Sequence, residues 1–182
     1  MAKKKTTPHP VADISGFPLV RTALLFCLLV LSFHLAQWVL VPESAIKSFE
    51  ELTASAVAEL IAIAGIPCIL DGTRISLPTS QWEIVLECTA LTAMVVFVSF
   101  IVAFPASLRS KACAIGAGVP LLFVANILRL VTLAWFTLKV PKLTGCLHDY
   151  VWNVVFLFLV VLMWLAWLSL VVKRERAHQV SC

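Results

Sequence analysis

The sequence predicts an all-α polytopic membrane protein with four to five transmembrane helices, an extracytoplasmic interfacial helix and a short β-hairpin. Three observations predict it. Of 182 residues, 61% are hydrophobic and 13% are charged, and the mean hydropathy is +1.00. Ordinary soluble domains carry about 45–50% apolar and about 25% charged residues, so this chain holds more apolar surface than a core of its size can hide. The basic residues also cluster at the borders of apolar runs: Lys3, Lys4 and Lys5, then Arg109 and Lys111, then Lys173, Arg174 and Arg176. That is the spacing expected of cytoplasmic loops. A nucleic-acid-binding patch would gather on one folded face instead.

The elements follow in order. Residues 1–18 form a polar, Lys-rich cytoplasmic tail. Leu19 to Val41 is the first spanning run, with Arg21 near its start and Trp38 near its end. It exceeds the roughly 7–15 apolar residues of a cleaved signal peptide, which marks a retained anchor. Residues 42–87 reverse the charge, with Glu43, Glu50, Glu51, Glu59, Asp71, Glu83 and Glu87 against Lys47 and Arg74. Within them, Ser48 to Ala64 spaces Leu52, Val57, Leu60, Ile61 and Ile63 as one helical face. Glu59 in its middle points to a helix lying on the outer interface rather than a full span. Asp71-Gly72 signals a hairpin turn, and Trp82 to Glu87 reads as a further short strand.

Thr89 to Phe104, Ala112 to Leu138 and Tyr150 to Val172 are the remaining spans, the third interrupted by Gly116, Gly118 and Pro120. Residues 19–172 therefore form one membrane-embedded domain, with 173–182 as a cytoplasmic basic tail. Both termini lie inside; 42–87 and 139–149 lie outside, where Lys139 and Lys142 are the exceptions to the charge pattern.

Three residues converge on the outer half of this topology. Arg129 stands inside a span, where an arginine costs at least roughly 2.5–3.5 kcal/mol and usually faces a cavity or partner. Asn126 and Thr132, three residues to either side, extend a polar stripe along its helix face. Cys88 begins the second span; a helix N-terminus favours a thiolate, while Glu87 opposes it unless paired with Arg129 or Arg74. His148 precedes the fourth span, with Asp149 or Asn153 able to orient it. As residues alone, Cys88 and His148 read equally as a buried structural cysteine and an interfacial histidine. Together the three supply a nucleophile, a proton carrier and a cation for a developing oxyanion, the parts of acyl transfer through a thioester. G-x-S-x-G and H-E-x-x-H do not occur, so a serine hydrolase of that type and a zincin are not supported. No C-x-x-C or other metal-ligand spacing occurs among the six cysteines, and no cofactor is implied.

A Cys at the mouth of one span, Asn126-Ile-Leu-Arg129 in the next, His148-Asp149 before the last, and a hairpin leading through Trp82-Glu-Ile-Val-Leu-Glu87 to the Cys resemble the exosortase/archaeosortase family. The resemblance covers roughly residues 45–172. It implies a polytopic cysteine protease/transpeptidase that cleaves carboxy-terminal sorting signals (a short motif, a membrane helix and a basic tail) on exported proteins at the bacterial plasma membrane. Cys88 would be the nucleophile, Arg129 the sortase arginine and His148 the acid/base, with Asn126, Asp149, Asn153 and Glu87 in support. Many members follow the Cys with Ser-Gly; here Thr89-Ala90 follow. By compartment, Cys68 and Cys146 share the oxidising side with Cys88, and a Cys68–Cys146 disulfide would leave Cys88 free. The alternative is a non-enzymatic membrane scaffold that docks a partner through its acidic segment and uses Arg129 as an interhelical clamp; it would carry an inert Cys88 thiol.

Overall fold

The apolar runs become helices and the acidic segment becomes a small capping layer over one end of them. A computed structural model describes residues 17–39, 41–140 and 151–180. In order these are α1 (Phe17–Val39), α2 (Glu43–Ile63), β1 (Ile69–Asp71), β2 (Arg74–Leu77), β3 (Ser80–Glu83), a 3-10 turn (Leu86–Cys88), α3 (Leu91–Ala103), α4 (Leu108–Lys139) and α5 (Trp152–Val180). The fold is mostly helical. Among the described residues, three helical stretches are long and apolar enough to cross a membrane: Leu19–Gln37, Leu108–Lys139 and Val154–Val171. α3 is apolar but has only 13 residues, about 20 Å at 1.5 Å per residue. It is shorter than the run Thr89 to Phe104 because Thr89 and Phe104 both adopt extended backbone, the latter just before Pro105.

α4 runs unbroken for 32 residues through Gly116, Gly118 and Pro120. The sequence places its start at Ala112, but Ser107 caps it earlier, its hydroxyl accepting the Ser110 N–H at 3.4 Å. Lys111, one turn in, turns its ammonium back to the Val102 carbonyl at 2.7 Å. Gly118 is where α3 and α4 come closest. A Cβ there would overlap the ring of Phe97, itself 2% exposed, so the ring would have to shift. Close approach at small residues drives helix association where lipid competes for apolar contact. Gly118→Val is accordingly expected to destabilise the protein by about 1–3 kcal/mol, read as a lowered melting temperature in detergent.

α2 begins directly after Pro42, five residues before the start expected from the sequence. The face it buries matches the expected one at Val57 and Ile61 and differs at Leu52, Leu60 and Ile63. Thr53, Ala54, Val57, Ala58 and Ile61 pack inward, while Leu52, Leu60 and Ile63 point outward with Glu59. Small side chains let the α2 backbone lie close on α4, and the large apolar ones are left for the surroundings.

β1, β2 and β3 form one antiparallel sheet in sequence order. Asp71 pairs with Arg74, so the two-residue loop is Gly72-Thr73, with Gly72 at φ 59 in its first position. That sign of φ at that position belongs to a II′ hairpin turn, which matches strand twist. The third strand is Ser80–Glu83 rather than Trp82 to Glu87, because beyond the ladder Ile84 bonds only to the Thr73 carbonyl, at 2.9 Å. The chain then turns into Leu86–Cys88. Ile75, Leu77 and Ile84 of this layer, with α2, meet Cys88 and the second half of α4 (Ile127, Leu130, Ala134) in one core. A second core joins α3, the first half of α4 and α5 around Phe97, Leu122, Val160 and Trp167. Outside both, Leu24, Leu28, Leu31, Leu121, Leu128, Leu157 and Leu162 stay exposed, as a lipid-facing belt requires.

Candidate active site

Cys88 ends the 3-10 turn, two residues before the N-cap of α3, rather than opening the helix itself. Its N–H donates to the Val85 carbonyl at 2.8 Å. Thr89 locks the turn onto α3: its hydroxyl donates to the Leu86 carbonyl at 2.7 Å and accepts the Leu91 N–H at 3.3 Å. A serine hydroxyl can make both bonds. Ala90 sits at φ −78 and ψ 0, open to any side chain. The Thr-Ala pair in place of Ser-Gly thus leaves the backbone of this turn unstrained. The sequence offered one signal for Thr89, a hydroxyl residue directly after the cysteine.

The carbonyl of Cys88 turns away from α3 and accepts the Asn126 Nδ2–H at 2.9 Å. Arg129 stands one turn along α4 on the same buried face; Asn126 is fully buried and Arg129 is 6% exposed. The Arg129 guanidinium lies within electrostatic reach of the Cys88 thiol and 5.9 Å from the centre of the Phe156 ring, a cation–π distance. Nothing in the local sequence marks Phe156, because its partner comes from another helix. Thr132 does not extend the buried stripe. It faces outward, and its hydroxyl bonds back to the Arg129 carbonyl at 2.8 Å.

Arg129 opens onto a groove of about 370 Å³. Thr89, Thr92, Ala93 and Val96 form one wall, Phe156, Leu157 and Val160 the other, and Glu87 stands at the mouth. The groove therefore runs between α3 and α5, from the residues that flank Cys88 in the chain into apolar surroundings. A larger cleft of about 430 Å³, lined by Phe97, Ser110, Gly118, Met163 and Trp167, has no charged lining residue and contains neither Arg129 nor a neighbour of Cys88 in the chain. Size does not make it the site.

The outer face over the turn is acidic. Arg74 pairs across the strands with Glu83, at 3.7 Å, and not with Glu87. Both side chains are more than half exposed, so the bridge is worth little. Glu50 of α2 is held above its ordinary value of 4.5, first by burial and then by Glu87, Glu83 and Glu51, while the Leu86 N–H partly offsets the rise. A carboxyl with a raised folded-state value is favoured protonated. Stability therefore falls as pH rises from the unfolded value of 4.5 through the raised folded one. Glu50→Gln is expected to flatten that dependence and to stabilise slightly at pH 7, measured by melting between pH 4 and 7.

Of the residues assigned from the sequence, Cys88, Asn126 and Arg129 come together, with Glu87 at the groove mouth. His148, Asp149 and Cys146 lie outside the described residues, and Asn153 lies on α5 with its side chain outside them. Cys68, the partner expected for Cys146, carries a free thiol with its Sγ 3.5 Å from the Ala58 carbonyl. Among the described residues no group of acidic, His and Cys side chains has the arrangement to hold a metal ion.

A helical membrane fold that sets a cysteine turn against a buried arginine suits a membrane-embedded thiol enzyme. The family model for transmembrane exosortases matches residues 12–165, and the chain belongs to that family. No curated protein and no solved structure matches the chain.

Proposed function

We propose that this protein is a cysteine protease/transpeptidase that cleaves carboxy-terminal sorting signals from exported proteins. The family is generally one of cysteine transpeptidases. The observation that carries the reading is local: one helix, α4, grips the backbone of Cys88 through Asn126 and presents Arg129 one turn away.

In this reading the Cys88 sulfur attacks the carbonyl carbon of the scissile peptide, and the negative charge gathering on its oxygen is met by Arg129. His148 takes the thiol proton and returns it to the departing nitrogen as the C–N bond breaks. The remaining acyl group is a thioester on Cys88. An amine or water then attacks that carbonyl and the thiol is restored with its proton. Asp149 or Asn153 orients His148, and Glu87 stands at the entrance. The substrate's membrane helix enters from the side through the groove between α3 and α5.

The topology that goes with this reading places the protein in the bacterial inner membrane. Residues 1–18 and 173–182 are cytoplasmic, and 19–172 are a single domain whose Cys88 end faces outward. α3, continued by the Cys88 turn, is the second of four crossings, and α2 lies in the outer interface with its Glu59 side exposed.

The test is chemical. Membranes carrying the protein and an exported substrate are supplied with hydroxylamine, which attacks thioesters. A cleaved substrate ending in a hydroxamate is expected by mass spectrometry. Continued cleavage giving only the free acid at saturating hydroxylamine, with no trapped enzyme adduct, would remove the thioester step.

A further inference from the structure

We infer that Asn126 is a positioning residue that holds the Cys88 sulfur in register with the Arg129 guanidinium. The inference rests on the reading of Cys88 as nucleophile and asks what fixes its geometry. The 3-10 turn cannot do so alone. Extended backbone at Thr89 takes the Cys88 carbonyl out of the path of α3, so no helical N–H in the next turn receives it. Its partner instead comes from 38 residues further along the chain, at 2.9 Å.

That bond ties the peptide carrying Cys88 to α4, and Arg129 rides on the same helix at i+3, on the same face. Sulfur and guanidinium thus share one rigid frame, although they come from segments that meet only in the tertiary structure. A site held this way keeps its geometry through helix packing rather than through a loop.

The chemistry at Asn126 argues for this role over simple packing. Its side chain is fully buried, and its Oδ1 has no hydrogen-bond partner among the described residues. An orphaned buried acceptor costs stability, so filling space does not by itself account for an amide at this position. What the amide supplies is its Nδ2–H, which holds the Cys88 carbonyl.

The experiment uses full-length protein in detergent with Cys27, Cys68, Cys113, Cys146 and Cys182 replaced by serine. Alkylation of Cys88 is timed with iodoacetate, an anion, and with neutral iodoacetamide. A guanidinium beside the sulfur favours the anion, so the ratio of the two rates reports their proximity. Arg129→Gln is expected to lower the ratio about fivefold. Asn126→Leu is expected to lower it by a similar factor, and the double variant no further, because both changes remove the same coupling. Asn126→Ala serves in place of Asn126→Leu if the latter does not fold. A merely structural role would lower the melting temperature while leaving the ratio unchanged, or would slow both reagents equally. Either result overturns the proposal, as does a ratio insensitive to Arg129→Gln. None of these outcomes depends on substrate cleavage, so a failure of the positioning role is distinguishable from a failure of the transpeptidase reading.

Discussion

Replacing Cys88 with alanine is expected to abolish the proposed processing of exported substrates, by a factor on the order of 10⁴ or more. The fold should survive the change. The contact that ties this turn to α4 is made by the Cys88 main-chain carbonyl, which alanine keeps. The Thr89 hydroxyl still bridges Leu86 and Leu91. Losing one small buried sulfur costs little beside the chemistry. Cys88→Ala protein should therefore accumulate in the membrane at wild-type levels while full-length substrate builds up, measured by immunoblot of both. Wild-type processing by Cys88→Ala would end the proposed function and leave the scaffold reading, in which the thiol is inert.

Arg129→Gln is the second large effect, expected to lower kcat about 10²–10³-fold with a smaller change in KM. The asymmetry follows from where the charge acts. A cation that meets negative charge formed in the transition state lowers the barrier without binding the ground state more tightly. Arg129→Lys should recover only part of the loss. Lysine keeps the charge but not the planar fork or the stacking on Phe156, whose ring lies 5.9 Å from the guanidinium carbon. Glutamine keeps a polar, hydrogen-bonding head at this buried position, so Arg129→Gln is expected to cost little stability in a melting experiment beside its loss of kcat. An equal fall in stability and activity would instead mark Arg129 as an interhelical clamp.

The parts of the fold visible in the sequence are those set by neighbours along the chain. An uninterrupted apolar run long enough for a bilayer becomes a helix wherever it packs, and so α1, α4 and α5 lie close to where hydropathy places them. Asp71-Gly72 marks its hairpin because the backbone there needs a positive φ that glycine supplies. The third strand and the start of α2 were displaced by a few residues. Strand ends depend on cross-strand partners, and Pro42 begins its helix without an apolar signal.

Faces were harder to read than elements. In a soluble protein the polar side of a helix identifies the side that packs. A membrane helix is apolar all round, and its large side chains serve lipid as well as core. That is why Thr132 of α4 departs from the stripe that Asn126 and Arg129 share; α2, although it also carries Glu50, Glu51 and Glu59, likewise turns Leu52, Leu60 and Ile63 outward while Ala54 and Ala58 pack. The same difficulty hid Phe156, whose contact with Arg129 crosses from α5 to α4.

By itself, then, the sequence determined a helical membrane chain, its separate acidic segment, and a short set of chemically unusual residues, because composition and local spacing are sufficient for each. Only the tertiary structure decided that Cys88 sits on a separate turn whose carbonyl is held by Asn126, and that Arg129 opens beside it onto the groove between α3 and α5. The physical reason is that a hydrogen bond across 38 residues and a shared helix face depend on packing, for which local pattern carries no signal.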